Sequence, residues 1–442
     1  MHLETKLPNP RCVRFKLKQI PTAIQEQCQL DEHVDQRGFV HARMDMAWCG
    51  LKESGRLAGD DMRAHLAAHG HHKSKFTPGF FTHATRPILF ALVVDDFGVK
   101  CKNSEDFQHL RDCPSLRCNM KADMGAEQCA GIDLVWDCKE RSLCCSVDEC
   151  VTTMLEEFKH VLPKQHHHGP LKAIAPKFGT KVQHVEDDNS RPLQPTETKE
   201  TQKTVGKFWF LARAVDNTIL HALNELACDT AKGAKKTSEA AIHLLDCIAC
   251  NPKPRIGHQA SDVTLQVDSD AAFHVRPEAG SQAGGHHCLG TRDGDVFNAP
   301  IPVLAKAIKN VVGSAAEAEV AAPHMNAQEA TPMRQALEEM GHQQSPTRVL
   351  TDNATAKGFV NNTVKIKRSK TFDGQFWWLK DREAQQQFEV IWEAGTHNLA
   401  DCATKHHPPS HHKRVRPVCL FEGKHTPIHL QGCDEILRAK NR

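Results

Sequence analysis

The stretch ILFALVVDDFGVK, residues 88–100, decides how the first half of this chain is interpreted. Its first seven residues are apolar, and so short a run rich in β-forming residues predicts a buried strand. The strand ends at two adjacent carboxylates, Asp95 and Asp96. Ionised carboxylates at the edge of a core are costly unless they are neutralised or exposed. The stretch therefore predicts either a metal site or an exposed hairpin turn.

Composition limits what the rest of the chain can be. The 442 residues are 40% hydrophobic and 25% charged, which is typical of a globular protein with about two or three domains. No apolar run approaches about 18 residues, so we expect no membrane partner. A net charge of +2 means that a nucleic acid would have to be bound by local basic patches. Eighteen cysteines and a start without an apolar signal core indicate a reduced, intracellular protein.

Changes in composition divide the chain into segments. Residues 1–186 mix short apolar runs with turn residues, whereas residues 187–204 are nearly free of apolar side chains and contain two prolines. Such a polar segment predicts a solvated linker. In residues 205–255, apolar side chains recur at steps of three and four, which predicts a pair of amphipathic helices, with Thr237 capping the second.

Strand and helix patterns alternate from residue 256 to residue 412, which predicts an α/β layer. The expected elements are a strand at 263–267, a turn region at Gly284 and Gly285, a helix at 314–340 and strands at 348–351 and 388–392. Residues 413–442 form a basic tail.

Three segments resemble the reverse transcriptase region of copia-type retrotransposon polyproteins: WCGLKESGRLAGDD (48–61), ALVVDDFGVK (91–100) and VGKFWFLARAVD (205–216). The resemblance implies an α+β palm in residues 1–186, with a helical thumb or connection at 205–255. It implies a nucleotidyltransferase in which Asp95 and Asp96 bind two Mg²⁺ ions. Its partners would be an RNA template, a primer and deoxynucleotides, in a cytoplasmic particle or in the nucleus.

The resemblance also implies a truncation. In the family another metal-binding Asp precedes a segment that here aligns with HLETKL, residues 2–7, so that Asp would lie before Met1. We therefore expect this chain alone to be a weak or inactive DNA polymerase.

Four acidic residues in the second half lie in motifs at predicted element ends: QVDSDAAF, SAAEAEVAA, VLTDNATA and EAGTHNLADCATK. Their order resembles the ribonuclease H domain that follows reverse transcriptase in the same elements. The resemblance implies an α/β ribonuclease H-like domain at 256–412, an endoribonuclease that cleaves RNA in RNA/DNA hybrids with two Mg²⁺ ions. The implied catalytic and metal-binding residues are Asp270, Glu319, Asp352 and Asp401.

Physical chemistry supports the same set. Four carboxylates that converge from separate elements repel one another unless divalent cations bridge them. Glu317 and Glu319 are two residues apart and point to different faces of a helix, so only one can enter the site, and the family pattern selects Glu319. Asp268 is the alternative to Asp270. Asn398 is expected to cap the helix that carries Asp401.

Two basic segments are candidates for contact with the hybrid backbone, although a solvated surface is the alternative for both. They contribute Lys365, Lys367, Arg368, Lys370, Lys413, Arg414 and Arg416. The aromatic residues that follow the first segment are spaced as the core face of a helix.

The chain has no tyrosine, although it has 19 Phe and 6 Trp. Against the copia-type pattern, an aromatic residue is expected at Cys12, Cys49, Cys101, Cys138 and Cys247. These replacements predict a degenerate, destabilised copy of the element. Cys247 and Cys250 form a CxxC without a second ligand pair and lie in a predicted helix, so we expect magnesium and not zinc as the cofactor.

A second class of function is also consistent with the sequence. A catalytically inert relic, or a nucleic-acid-binding protein, would keep the basic surfaces without turnover. An integrase would need its acids in the order Asp, Asp, Glu, and the order here differs.

Overall fold

The computed structural model describes residues 5–48, 51–116, 120–173, 189–230, 232–292, 297–360 and 373–420. The chain forms two compact units, Met1–Met124 and Gly125–Arg442. The predicted first segment, 1–186, therefore contributes to both units instead of forming one. Within the described ranges, no helix is long and apolar enough to cross a membrane.

The first unit is a small α+β structure with a two-stranded and a four-stranded antiparallel sheet. In the four-stranded sheet, consecutive strands are neighbours. The strands and helices are β1 (Lys6–Lys16), α1 (Thr22–Gln27), β2 (Phe39–Met46), α2 (Ser54–Ala68), β3 (His71–Lys73), β4 (Phe80–His83), β5 (Ile88–Val93), β6 (Asp96–Cys101) and α3 (Ser104–Ser115).

The strand predicted from the ILFALVV run is confirmed as β5. Ile88 and Phe90 on β5 are buried and pack with Phe81 of β4 against α2 and α3. A two-residue turn joins β5 to β6, since Val93 pairs with Asp96. Val94 in this turn has φ +58°, which is strained for a β-branched residue.

The second unit begins with a four-stranded antiparallel sheet of order β10-β9-β8-β7 that packs beside helices. Its elements are β7 (Gln128–Cys129), β8 (Ile132–Asp137), β9 (Ser142–Ser146), α4 (Asp148–Glu157), α5 (Pro195–Ala214), α6 (Leu220–Asp229), α7 (Lys235–Cys250) and β10 (Arg255–Gln259). The buried sides of α5, α6 and α7 share one apolar core with β9 and α4.

The predicted linker at 187–204 is wrong from Pro195 onward, because α5 begins there. The helix exposes most of its polar first turns, but Thr201 and Thr204 are buried. Their hydroxyls donate to the carbonyls of Glu197 and Glu200, so burial leaves no hydroxyl unsatisfied. The polar composition thus marks an exposed helix face.

The predicted pair of helices is three helices. The helix α5 ends at Ala214 with Val215 as its C-cap, and a 3-10 turn precedes α6. The apolar periodicity therefore continues across an interruption of the helix. The last helix starts two residues before the predicted cap, at Lys235, and the Thr237 hydroxyl accepts from the Ala234 N–H.

A mixed five-stranded sheet of order β13-β12-β11-β14-β15 forms the rest of the second unit. β11 pairs antiparallel with β12 and parallel with β14. The elements are β11 (Thr264–Arg276), β12 (Gly280–Gly290), β13 (Phe297–Ile308), α8 (Ala315–Glu339), β14 (Thr347–Thr351), α9 (Ala354–Val360), α10 (Asp373–Ala384), β15 (Phe388–Trp392) and α11 (Pro409–Cys419). The alternation of strands and helices is confirmed, and α8 packs on β11 and β14.

The turn predicted at Gly284 and Gly285 is wrong, because both residues lie inside β12. A Cβ on Gly284 would lie 2.5 Å from the carbonyl oxygen of Ala400, and one on Gly285 would lie 1.6 Å from Asn326 Oδ1. Glycine is therefore required here by the close approach of neighbouring segments to the strand, not by a turn.

The cysteines at expected aromatic positions have unequal surroundings. Cys12 and Cys138 are exposed, Cys101 is half-buried and Cys247 is buried; Cys49 lies outside the described residues. A buried large-to-small replacement is destabilising, whereas an exposed one has little effect. The predicted loss of stability therefore does not apply at Cys12 and Cys138.

Candidate active site

Asp270 stands in the middle of β11, where its carboxylate is almost completely buried, at 1% exposure. It pairs across the ladder with Gly284 of β12. Its Oδ2 accepts a hydrogen bond from the Thr404 hydroxyl, in a segment more than 130 residues further along the chain. Asp268, the alternative to Asp270, is also buried on β11, but it is Asp270 whose carboxylate lies beside Lys405 and Thr404.

Glu319 is supplied by the second turn of α8, which begins after the N-cap Ser314. Glu317 serves the helix start, since its backbone N–H donates to Ser314 Oγ and its Oε2 accepts from the Gly313 N–H at 2.7 Å. Glu317 thus belongs to the helix cap, whereas Glu319 faces the acid cluster. This is the arrangement expected when Glu319 was chosen over Glu317. Glu319 Oε2 is buried and has no hydrogen-bond partner among the described residues.

Asp352 directly follows β14, the parallel neighbour of β11, so its carboxylate lies at the end of the adjacent strand. The Trp392 indole donates to its backbone carbonyl at 2.9 Å and ties it to β15. A Cβ on Gly395 would lie 2.5 Å from Asp352 Oδ2. The loop after β15 can therefore approach the carboxylate only because residue 395 is glycine.

Asp401 lies in a 3-10 segment, Leu399–Ala403, and not in the regular helix that was expected. Asn398 caps this segment as predicted, because its Oδ1 accepts from the Ala400 N–H at 3.1 Å. The Asn398 Nδ2 also donates to the Ser269 carbonyl of β11 at 2.9 Å. The cap therefore also anchors the Asp401 segment to the strand that carries Asp270.

A lysine that the sequence interpretation did not select lies among these acids. The Lys405 ammonium is 2.5 Å from Asp401 Oδ1 and 3.4 Å from Asp270 Oδ2. Burial opposes its charge, but the two carboxylates more than offset this and raise the pKa of Lys405. The ammonium thus partly neutralises the cluster from within the chain. The motif EAGTHNLADCATK contains this lysine, but nothing in its spacing shows that it turns back toward Asp270.

The pKa values show that the four acids share one electrostatic environment. Burial and the charges of Asp270 and Asp352 raise the pKa of Glu319 to about 8. Burial raises the pKa of Asp270 to about 6, against the opposing charge of Lys405 and with the added charges of Asp401 and Asp352. One ammonium therefore does not balance four carboxylates. Without further cations, Glu319 keeps its proton near neutral pH.

The donor set fits a hard divalent cation. Carboxylate oxygens are the ligands that Mg²⁺ prefers in proteins, and Glu319 Oε2 is a buried oxygen that no described residue satisfies. Three of the carboxylates come from the middle of β11, the second turn of α8 and the end of β14. Asp270, Glu319, Asp352 and Asp401 would hold the ion or ions.

The Asp95 and Asp96 pair is placed differently. Both side chains are exposed at the β5–β6 turn. The structure therefore has the exposed hairpin that was one of the two predicted possibilities, and their role in metal binding stays a prediction.

The predicted nucleic-acid contacts have three outcomes. Lys413 and Arg414 are exposed on α11 and stay candidates. Arg416 is wrong as a surface contact, because it is buried and its two terminal nitrogens donate to Asp216 at 2.8 and 3.1 Å. The segment with Lys365, Lys367, Arg368 and Lys370 lies outside the described residues.

No protein-family model and no curated protein matches the sequence. Among solved structures, the chain is 12% identical to a foamy viral protease-reverse transcriptase in complex with an RNA/DNA hybrid, over 82% of this chain and 40% of that one, with a TM-score of 0.42. The foamy viral enzyme in complex with double-stranded DNA gives 12% identity, 82% and 62% coverage and a TM-score of 0.40.

The N-terminal ribonuclease H domain of a Mycobacterium tuberculosis protein, solved as a fusion with maltose-binding protein, is 14% identical over 36% of this chain and 96% of that one, with a TM-score of 0.24. The chain spans less than two thirds of either foamy viral chain. At TM-scores this low, none of these similarities supports a functional assignment. The assignment depends instead on the geometry of the acid cluster.

Proposed function

We propose that the second unit is a Mg²⁺-dependent endoribonuclease that cleaves the RNA strand of RNA/DNA hybrids. The observation that carries the proposal is the acid cluster, in which each of Asp270, Asp352 and Asp401 contributes to the raised pKa of Glu319. Structural carboxylates are usually exposed or individually paired. A cluster of four acids in which burial and neighbouring charges raise the pKa of Glu319 and Asp270 is typical of a site that needs divalent metal.

The roles of the chain's own groups follow from their positions. Thr404 fixes Asp270 through Oδ2, and Asn398 fixes the Asp401 segment, so both carboxylates are preorganised. Glu319 projects from a rigid helix, and its unsatisfied oxygen is available as a ligand. When bound, Mg²⁺ supplies an activated water and charge stabilisation for the departing oxygen of a phosphodiester. The Lys405 ammonium must give up its place near Asp270 or contribute a donor to a phosphate oxygen.

A second candidate function is hybrid binding without turnover, and the position of Lys405 favours it. An ammonium that already pairs with Asp401 and Asp270 competes with a divalent cation for the same oxygens. An inert relic would then bind hybrids through exposed basic residues such as Lys413 and Arg414. Its binding would weaken steeply with salt, and Mg²⁺ would produce no cleavage.

The experiment that tests the proposal is cleavage of a 5′-labelled RNA in four forms: hybridised to DNA, single-stranded, in an RNA duplex, and hybridised in the presence of excess chelator. We expect cleavage only of the hybrid and only with Mg²⁺. Salt-sensitive hybrid binding with no cleavage at any Mg²⁺ concentration would support the second candidate instead. Cleavage of all RNA forms alike would indicate a contaminating ribonuclease and contradict the assignment.

We also propose that the chain derives from the reverse transcriptase and ribonuclease H region of a copia-type retrotransposon polyprotein. The support is the set of sequence segments around Asp95 and Val205, together with the order of the four acids. Primer extension on an RNA template, compared with Asp95→Asn, tests whether Asp95 and Asp96 also support DNA synthesis.

A further inference from the structure

A second group of ligand-type side chains lies in the second unit, outside the acid cluster. His221 and Glu225 are four residues apart on α6 and therefore share one face of the helix. His406 lies in the loop between the Asp401 segment and α11, next to Lys405 in sequence. One ligand atom from each of the three lies within 4.8 Å of the others.

The contacts within this group leave its ligand atoms facing one another. His406 Nε2 is 2.9 and 2.8 Å from the two carboxylate oxygens of Glu225. His221 Nε2 is 3.5 Å from Glu225 Oε1. The two imidazole rings are nearly perpendicular, with centroids 5.7 Å apart. Two imidazole nitrogens and one carboxylate thus converge from two separate segments.

His221 provides an independent observation. Its side chain is 4% exposed, and neither ring nitrogen has a hydrogen-bond partner in the described part of the chain. A buried polar group without a partner is destabilising by about 1–3 kcal/mol. A metal ion that accepts the lone pair of Nε2 would satisfy that nitrogen.

His406, unlike His221, has the second contact that usually accompanies metal binding by histidine. Its Nδ1 is 3.3 Å from the backbone carbonyl oxygen of Lys172, so Nδ1–H donates there. In the metal-free chain Nε2–H donates to the Glu225 carboxylate, and a metal ion would take the place of that proton. Such a contact fixes the tautomer and the ring orientation of a ligating histidine. Two histidines and one carboxylate form a ligand set that binds zinc and related transition metals.

We propose that His221, Glu225 and His406 bind one divalent transition-metal ion of the zinc class. The site is distinct from the Mg²⁺ site in ligand chemistry, and the inference does not depend on the proposed ribonuclease activity. Bound metal would join α6 to the loop that follows Lys405 and so fix the segment that carries Asp401 and Lys405. The CxxC of Cys247 and Cys250, where the sequence led us to expect no zinc, is not part of this site.

Another histidine group has a comparable spacing but unsuitable protonation. His71, His83 and His109 converge in the first unit, with 3.1 Å between the Nε2 atoms of His83 and His109. However, His83 Nδ1 accepts the backbone N–H groups of Thr85 and Arg86 at 3.1 and 3.0 Å. The proton of His83 is therefore on Nε2, which blocks that atom as a ligand. In the group of His221, Glu225 and His406, the Nδ1 atom of His406 instead faces a carbonyl oxygen.

Arg276 limits the affinity, because its positive charge acts on both His221 and Glu225 and opposes a bound cation. The carboxylate of Glu225 counters this charge. Arg276→Gln should therefore tighten the binding of metal.

The test is zinc binding to the purified full chain, measured by competition with a chromogenic chelator at saturating Mg²⁺. We expect His406→Gln and Glu225→Gln each to lose one equivalent of zinc, or to weaken its binding at least about 100-fold. His33→Gln, at an exposed histidine, is the matched control, and His411→Gln tests the group around Asp401. Asp352→Asn should bind zinc normally whether or not the chain cleaves RNA, so the two proposals can fail separately.

Melting temperatures keep the result interpretable if a variant folds poorly. Zinc should raise the melting temperature of the wild type and of His33→Gln but not that of His406→Gln. Co²⁺ should give a ligand-field spectrum that His406→Gln abolishes. Equal zinc stoichiometry and affinity in the wild type, His406→Gln and Glu225→Gln would overturn the proposal, as would a loss confined to His411→Gln.

Discussion

The ammonium of Lys405 lies 3.4 Å from Asp270 Oδ2, in the region where a divalent cation would meet the carboxylates. An ammonium that pairs with two carboxylates stabilises the metal-free protein and competes with the metal. The apparent affinity of the cluster for Mg²⁺ is therefore set partly by this lysine.

Lys405→Met should raise the affinity for Mg²⁺ on the order of 10-fold, because no ammonium has to be displaced, and should lower the stability of the metal-free protein. Isothermal titration and thermal unfolding with and without chelator measure the two effects. Lys309→Met, at an exposed lysine of the same unit, is the control. A lower Mg²⁺ affinity in Lys405→Met would show that the lysine supports the metal site instead.

The pKa of Glu319 predicts a pH dependence in the absence of metal. Burial and neighbouring carboxylates raise this pKa from 4.5 to about 8. A carboxyl whose folded-state pKa is raised binds its proton more tightly when folded, so its contribution to stability is complete below about pH 4.5 and is lost as the pH rises through about 8.

The free energy of unfolding in chelator should therefore fall between pH 5 and pH 8.5, by roughly 1.4 kcal/mol for each unit by which folding raises the pKa of this group. Glu319→Gln should flatten this part of the profile, and saturating Mg²⁺ should do the same in the wild type. Denaturant unfolding at each pH measures the effect, with Glu339→Gln near the end of α8 as the control. An identical slope in Glu319→Gln and the wild type would contradict the prediction.

Gly284 permits the Asp401 segment to reach β12. Gly284→Ala places a Cβ 2.5 Å from the Ala400 carbonyl oxygen, so the segment with Asp401 and Thr404 must move. We expect a loss of about 1–3 kcal/mol in stability and a larger proportional loss of hybrid cleavage. Gly206→Ala on α5, where a Cβ meets nothing within 4 Å, should leave cleavage unchanged and should not lower stability, because alanine favours a helix interior over glycine. Full activity in Gly284→Ala would show that cleavage does not need the close approach of the Asp401 segment to β12.

Arg416 should affect stability, whereas its neighbour Lys413 should affect binding. Arg416→Ala leaves the buried Asp216 carboxylate without its ion pair and should destabilise the protein by about 3–5 kcal/mol. Lys413→Ala should leave stability unchanged and, if it contacts a phosphate, should reduce the slope of log affinity against log salt by about 1. Urea unfolding measures the effect on stability, and hybrid binding at several salt concentrations measures the effect on binding. Similar stability of Arg416→Ala and the wild type would contradict the ion-pair assignment.

The sequence could predict the four acids because their order and local motifs resemble those of a known family, which also selected Glu319 over Glu317. Local pattern alone gives only the elements that carry them: Asp270 and Asp352 follow apolar β-forming runs, Glu319 lies in an alanine-rich helix, and Asp401 follows a capping asparagine. The mixed sheet and α8 then bring these elements together.

Long-range contacts were not predictable in the same way. Thr404 and Lys405 meet Asp270 because Gly284 lets their segment approach the sheet, and no local spacing encodes this approach. Gly284 and Gly285 were mistaken for a turn because paired glycines are more common in turns than in tightly packed strands. Arg416 was grouped with surface cations because sequence does not show that Asp216, 200 residues away, pairs with it.

The central claim is that the acid cluster hydrolyses RNA, and single-turnover cleavage of a labelled RNA/DNA hybrid by matched variants tests it most directly. Asp352→Asn removes one carboxylate of the cluster, and Asp381→Asn removes an exposed carboxylate on α10. We predict that Asp352→Asn lowers the Mg²⁺-dependent rate on the order of 100-fold or more, with Asp381→Asn equal to the wild type. Equal rates in all three proteins would contradict the assignment of the cluster as the active site.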